Sequence, residues 1–148
     1  MAQKRHSVDL PRGVHNAVGL AGAAAGLRII DQIGVGRIWN HVRGLSRRLI
    51  DSLREISIPI LTAPDDDQRA GIVTIGVEDA QGFCDGLASE GILVGHYLPS
   101  QIRIDVAMFL SEQEIERTLE ATEKAIKTTA PKNQSFLALY LASQIFPF

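Results

Sequence analysis

The chain has 148 residues, of which 45% are hydrophobic and 22% charged, a composition typical of one globular domain with a modest hydrophobic core. A formal net charge of −2 and an aromatic content of 5% give no general case for binding nucleic acid, a stacked base or an anionic membrane. The single cysteine, Cys84, excludes an intrachain disulfide and a multi-cysteine zinc site, and this favours a cytoplasmic location.

The N-terminal region admits two interpretations. Residues 1–12 are polar and are predicted to be irregular. Basic residues followed by the apolar run 17–27 could indicate a signal peptide, but Asp9 and Arg12 lie close to that run, and its glycines and alanines are only weakly hydrophobic. The run ends at Arg28, short of the ~20 apolar residues that a membrane span needs. We therefore predict neither a signal peptide nor a membrane span.

Two helices are predicted before any strand. The first runs from Asn16 to about Ile33, because apolar and small residues recur at spacings of three and four, and Gly34 is expected to end it. No strand precedes the glycines of this helix, so they do not form a phosphate-binding loop and instead favour close approach of another backbone (Gly19, Gly22 and Gly26). The second helix, at about 36–55, has an apolar stripe and a basic cluster that we interpret as a solvated face rather than an anion site (Arg43, Arg47, Arg48 and Arg54).

The middle of the chain is predicted to form a sheet and one short helix. A short extended segment at 58–62 precedes three aspartates at 65–67, which we interpret as an exposed loop, since no further ligand follows at calcium-loop spacing. A strand at 71–77, a helix from Asp79 to about Glu90 and a strand at 92–97 follow. The last strand, 101–109, alternates, with Ile102, Ile104, Val106 and Met108 on one face and Arg103, Asp105 and Ala107 on the other.

The last predicted helix begins with a capping box, Ser111 to Glu114, and Pro131 closes it. The element order α-α-β-β-α-β-β-α predicts an α+β domain, with a small, mostly antiparallel sheet of three or four strands and helices packed mainly on one face. We divide the chain into an irregular segment at 1–12, a domain at 13–130 and an apolar tail at 131–148. Apolar residues dominate the tail from 135 onward, so we expect it to dock on this domain or on a partner.

Few residues suggest chemistry. The four histidines (His6, His15, His41 and His96) have no metal-ligand spacing, and Cys84 lies in an amphipathic helix, where a structural thiol is expected. No catalytic or metal-binding residue is predicted. Arg103 stands out, because an arginine inside an otherwise apolar strand should have a carboxylate partner. That partner is either Asp105 or another acid of the protein, or it is the carboxylate of a substrate.

Four local patterns stand in order along the chain, at 9–16, 25–53, 69–94 and 102–121. They resemble the C-terminal small domain of the class V aminotransferase family, whose fold-type I enzymes use pyridoxal phosphate. "DLPRGVHN" resembles the family's "F-x-x-G-T-x-N", and "AGLRIIDQIGVGRIWNHVRGLSRRLIDSL" resembles its long helix pair. "RAGIVTIGVEDAQGFCDGLASEGILV" resembles "R-x-G-I-V-x-F … L … L … G-I-x-V", and "IRIDVAMFLSEQEIERTLEA" resembles "R-I-S-x-x-x-Y-N-x-x-E-E-I-x-x-L". The resemblance covers roughly residues 9–128.

The resemblance implies roles for a few positions. Arg103 matches the family arginine that binds the substrate carboxylate. His15 and Asn16 fall in a stretch that approaches the cofactor phosphate in relatives, although Val14 replaces the usual threonine. The family's Schiff-base lysine belongs to a preceding large domain, and none of the four lysines here stands in its context. The turn at 98–101 is too short for the cysteine loop of desulfurases, and this argues against desulfurase descent.

Two functions are predicted from different classes. The first is the small-domain portion of a pyridoxal-phosphate enzyme that acts on an amino acid and does not catalyse by itself, so whether this chain is an enzyme stays open. It would need a homo-oligomer, such as a dimer, or a separate large-domain chain, and the cofactor would belong to the assembled enzyme rather than to this chain alone. The alternative is a non-enzymatic domain for oligomerisation, interaction or small-ligand binding. No nucleic-acid or membrane partner is predicted.

Overall fold

A computed structural model describes residues 16–129, which form four helices, one turn of 3-10 helix and a three-stranded sheet. In chain order these are α1 (Ala17–Ile33), α2 (Val35–Glu55), the 3-10 turn (Asp66–Gln68), β1 (Ile72–Gly76), α3 (Ala80–Ser89), β2 (Gly95–Leu98), β3 (Gln101–Asp105) and α4 (Glu112–Thr129). The predicted α+β class is confirmed. The chain divides into two compact units, residues 1–35 and residues 36–148.

The described part of the first unit is helix α1. Asn16 caps it, since the side-chain Oδ1 accepts a hydrogen bond from the Gly19 backbone N–H at 2.8 Å. Gly34 ends it as predicted, with φ at +90°, a region that glycine adopts without strain. No residue of α1 is buried, and Val18 is 85% exposed. Within residues 16–129 no single helix is long and apolar enough to cross a membrane, and α1 and α2 pass that test only when taken together.

The second unit is built on an antiparallel sheet with strand order β1-β3-β2. β3 is therefore the central strand, and its Arg103 lies opposite Thr74 on β1 and Gly95 on β2. The segment predicted as a strand at 58–62 pairs with β1 only through a bridge between Ile60 and Ile75. Its backbone nevertheless covers the β1 edge, because Gly76 N–H donates to the Pro59 carbonyl at 2.8 Å.

Three predicted strands are shorter in the structure. The strand predicted at 71–77 occupies 72–76. The strand predicted at 92–97 occupies 95–98, and the one predicted at 101–109 ends at Asp105. Beyond that residue, Val106 stays buried and its N–H donates to the Gly71 carbonyl at 2.6 Å. Met108, predicted on the same face as Ile102 and Ile104, lies in a turn and is 37% exposed. Alternation alone could not locate this end, because β3 ends where its partner begins: Asp105, the last residue of β3, pairs with Ile72, the first residue of β1.

The core lies on one face of the sheet. Strand residues Val73, Ile75, Ile102 and Ile104 are buried together with apolar residues of α2, α3 and α4. The stripe of α2 supplies Leu45, Leu49 and Leu53, and α3 supplies Phe83 and Leu87. The opposite face of the sheet is open to solvent, so side chains there are available for contacts outside this unit.

The capping box of α4 forms as predicted. Glu114 Oε2 accepts from the Ser111 backbone N–H at 2.7 Å, and Ser111 Oγ accepts from the Glu114 N–H at 3.3 Å. The inward face of the helix includes Ile115 and Leu119. The predicted irregular segment 1–12, Pro131 and the apolar tail 131–148 lie outside the described residues.

Candidate functional site

Arg103 lies at the middle of the central strand, on the face of the sheet away from the core. Its neighbours Ile102 and Ile104 point into the core, because successive side chains of a strand alternate between faces. The Arg103 side chain is 33% exposed. Directly across on β2, Gly95 leaves open space, since a Cβ added there would have no atom within 4 Å.

Two side chains hold the Arg103 guanidinium. Nε donates to Asp105 Oδ1 at 2.8 Å, and Nη1 donates to the Tyr97 hydroxyl at 2.7 Å. The guanidinium carbon also lies 5.7 Å from the centre of the Tyr97 ring, within cation–π range. The hydrogen bond to Asp105 is the main cause that raises the already high pKa of Arg103. Of the two partners considered for Arg103, the protein carboxylate is therefore present, and a substrate carboxylate stays a prediction.

A bulge in β2 explains why Tyr97 reaches Arg103. The register pairs Gly95 with Arg103 and His96 with Ile102, and it then skips to Leu98 with Gln101. Tyr97 is the extra residue of this irregularity, and such bulges re-aim a side chain. Sequence patterning could not identify Tyr97 as a neighbour of Arg103, because a one-residue shift in pairing leaves no local signature.

The two positions predicted near a cofactor phosphate give little support for such a contact. His15 lies outside the described residues. Asn16 is the N-cap of α1, and its side-chain oxygen is already used by the Gly19 N–H. Their role toward a cofactor stays a prediction.

The described residues do not fit pyridoxal phosphate by themselves. A Schiff-base lysine must be neutral to attack, so it needs a desolvated or electropositive setting. The two described lysines, Lys124 and Lys127, are on α4, with side chains 62% and 78% exposed, and they pair with Glu90 and Glu123. We therefore derive no step that involves this cofactor from these residues.

Two arginines of the basic cluster of α2, Arg43 and Arg47, pair with the acidic loop. Asp66, whose side chain is 17% exposed, pairs with Arg47 and with the buried Arg69, and lies 3.9 Å from Arg43 Nε. Arg43 also reaches Asp67 at 3.4 Å. The loop predicted to be merely exposed thus anchors the basic face of α2. Composition gave no signal for this, because the partners are about 20 residues apart in sequence.

Other reactive side chains have structural roles. Arg48 pairs with Glu112 and Glu116 at the start of α4. His41 Nε2 lies 2.8 Å from the Leu110 carbonyl oxygen. Burial raises the pKa of the Cys84 thiol, with a smaller contribution from Asp85, and this opposes a nucleophilic role. Among residues 16–129 no group of three or more His, Cys, Asp or Glu side chains could hold a metal ion.

Comparisons with known proteins find cysteine desulfurases among the proteins that are similar to this chain. No protein-family model matches the chain. A probable cysteine desulfurase of Pyrococcus abyssi (strain GE5 / Orsay) is 28% identical over 130 residues, covering 78% of this chain and 32% of the relative. The apo structure of a cysteine desulfurase from Thermococcus onnurineus NA1 superposes with a TM-score of 0.73 at 26% identity, over 78% of this chain and 32% of that one. The Escherichia coli cysteine desulfurase CsdA gives a TM-score of 0.72 at 16% identity, over 82% of this chain and 33% of that one.

The interpretation of the short turn between β2 and β3 as evidence against desulfurase descent is wrong. The turn consists of Pro99 and Ser100, within the turn predicted at 98–101, but the similar proteins nevertheless include cysteine desulfurases. Loops tolerate insertion and deletion more readily than the elements they connect, so loop length is a weaker marker than motif order. The chain spans about a third of the length of these relatives. The predicted resemblance to the class V aminotransferase family is thereby confirmed: 78% of this chain is similar to 32% of two cysteine desulfurases, which is consistent with a small C-terminal fragment.

Proposed function

We propose that this chain is the small-domain portion of a class V aminotransferase-like, pyridoxal-phosphate-dependent enzyme that acts on an amino acid. The coverage of the relatives supports this, because the matched stretch is only 32% of the Pyrococcus protein. A lysine-bearing large domain supplies the cofactor site, and the chain alone does not catalyse. The proposal includes a cytoplasmic location.

The position of Arg103 supports the part of the proposal that concerns the substrate. It binds the carboxylate of the amino acid from the open face of the sheet, beside the space above Gly95. Its guanidinium is fixed by two neighbours, which lowers the entropy lost when a ligand binds. An arginine is suited to this task, because its planar fork matches a carboxylate.

Helix α1 is where the large domain docks. Its exposed apolar side chains include Val18, Leu20 and Leu27 at 85%, 63% and 66% exposure. Gly22 and Gly26 have open space around them, so a neighbouring backbone can approach closely. An apolar helix without a buried face usually marks an interface. The two thirds of the relatives that this chain does not match supply a domain large enough to cover it.

The decisive observation is the coding DNA on both sides of this sequence. We expect an open reading frame, continuous or adjacent, that encodes a lysine-bearing large domain. Coexpression should then give a complex that holds pyridoxal phosphate. Absence of any such frame would contradict the proposal.

A spectroscopic test addresses the chain alone. Mixed with pyridoxal phosphate, it should give no stoichiometric, borohydride-reducible adduct on a single lysine. Such an adduct would show that this chain holds the cofactor chemistry after all. Free lysine at matched concentration is the control for non-specific reaction.

The docking face has its own test. Gly22→Leu should leave the chain folded, because no atom lies within 4 Å of the added Cβ, and it should prevent assembly with the coexpressed large domain. Gly44→Leu on α2, where the space is equally open, is the matched control. If the chain instead forms a stable dimer that Gly22→Leu abolishes, the alternative function of self-association replaces this one.

A further inference from the structure

The hydrogen bonds of Arg103 leave a defined set of donors free. A guanidinium has five N–H groups. Nε is used by Asp105, and one Nη1 hydrogen is used by Tyr97. Within the described residues, the remaining three N–H groups, one on Nη1 and two on Nη2, make no hydrogen bond. The end-on edge, formed by Nη1 and Nη2, therefore keeps a free Nη2 N–H, and the second Nη2 N–H lies on the side-on edge beside Nε.

Asp105 restricts how a ligand can approach. A side-on carboxylate would need Nε together with Nη2, and it would have to displace Asp105 from a 2.8 Å hydrogen bond. It would also bring two carboxylates together at one guanidinium, which is unfavourable. The end-on edge avoids both effects.

Tyr97 contributes a second polar group at that edge. Its hydroxyl oxygen accepts from Nη1 at 2.7 Å, so the hydroxyl hydrogen stays free to donate. The bulge in β2 holds Tyr97 beside the guanidinium, and the ring lies within cation–π distance of it. A carboxylate at the end-on edge therefore meets donors from both Arg103 and Tyr97.

We propose that Tyr97 and Asp105 are positioning residues that present Arg103 end-on, so that a ligand carboxylate binds between Nη2 and the Tyr97 hydroxyl. This inference rests on the proposed function, in which Arg103 binds the carboxylate of an amino acid. Tyr97 lies outside the motifs that carry the family resemblance.

Isotope-edited proton–nitrogen NMR of the guanidinium groups in the full chain tests the proposal, with sodium acetate as the probe and sodium chloride at matched ionic strength as the control. Arg103→Lys assigns the signals. In the unsubstituted chain, acetate should shift the Nη resonances of Arg103 and leave its Nε–H unmoved. Tyr97→Phe should speed rotation of the Nη groups and weaken acetate binding about fivefold, the loss expected for one hydrogen bond.

Asp105→Ala should remove the downfield position of the Nε–H signal and let acetate reach Nε. Asp51→Asn is the matched control, since Asp51 also accepts from an arginine, Arg54, at 3.4 Å on the surface of α2. It should leave every Arg103 signal in place.

The outcomes separate the two proposals. If acetate moves the Nε–H signal first, or if Tyr97→Phe changes neither Nη rotation nor binding, the positioning role is overturned while carboxylate binding by Arg103 stands. If acetate moves no Arg103 signal, carboxylate binding at this site fails. Nη rotation in Tyr97→Phe then still decides whether Tyr97 orients the guanidinium.

Discussion

Helices α1 and α2 follow one another in the chain and have opposite relations to solvent. α1 is richer in apolar and small residues, yet none of its residues is buried. α2 carries many charges, yet it buries five residues and contributes to the core. The pattern of apolar side chains, and not their number, therefore decides which helix builds the domain.

The physical reason lies in how the side chains are distributed around each helix. In α2 the leucines share one stripe, and the arginines stand mostly off it, paired with acids of the loop and of α4. In α1 the glycines and alanines give no long side chain to interdigitate, and glycine inside a helix costs about 1 kcal/mol relative to alanine. A helix with this composition needs a partner that packs closely against its backbone.

The largest expected effect on stability comes from truncating one leucine side chain to alanine in each helix. Leu49→Ala in α2 should lower the free energy of unfolding by about 2–5 kcal/mol, because Leu49 is fully buried and its loss leaves a cavity. Leu27→Ala in α1, where the side chain is 66% exposed, should change it by less than about 0.5 kcal/mol. Urea unfolding followed by Trp39 fluorescence measures both. Equal losses would show that α1 also belongs to the cooperative core.

The second prediction concerns the polar side of α2. Asp66→Asn should destabilise by about 3 kcal/mol, because it leaves the buried Arg69 without its carboxylate. Asp67→Asn is the control. The Asp67 side chain is 92% exposed, so this substitution should change the free energy of unfolding by less than about 1 kcal/mol. Chemical denaturation of both variants, side by side, measures the difference. If the two variants lose the same free energy of unfolding, the loop does not anchor α2.

The helix caps extend the comparison to α4. Ser111→Ala should lower global stability by about 1 kcal/mol, because α4 packs into the core through Ile115 and Leu119. Asn16→Ala removes the cap of α1 and should fray that helix without moving the global transition. Hydrogen exchange resolved by residue distinguishes fraying from global unfolding. A global loss from Asn16→Ala would mean that α1 folds together with the rest.

The smallest effect is a pH dependence of α4. Hydrogen bonds from the Ser111 backbone and hydroxyl lower the pKa of Glu114 below its ordinary 4.5. Its stabilising contribution is therefore complete above the unfolded-state pKa and is lost as the pH falls through the lower folded-state pKa. Acid titration of thermal stability should show a shallower loss below pH 4.5 in Glu114→Gln than in the unsubstituted chain. Identical profiles would exclude this contribution.

Much of the fold was predictable because its signals are local. Gly34 and the Ser111 capping box marked helix ends within a few residues of sequence, and the α2 stripe predicted a buried face. Local signals failed at the end of β3. The alternation of apolar and polar residues continues past Asp105, but pairing with β1 ends at that residue. Local signals also missed Asp66, because its role depends partly on Arg47, which is brought to it from α2.

For the candidate site, the sequence by itself determined that Arg103 would stand on the strand face opposite Ile102 and Ile104 and that a carboxylate should meet it. Period-two alternation and the chemistry of a guanidinium were enough for that. Only the tertiary structure decided that Asp105 occupies Nε, that Tyr97 occupies Nη1 and that Gly95 leaves open space opposite. Those facts depend on the register and the bulge of β2 against β3, and pairing between strands is a property of the folded chain rather than of any one segment.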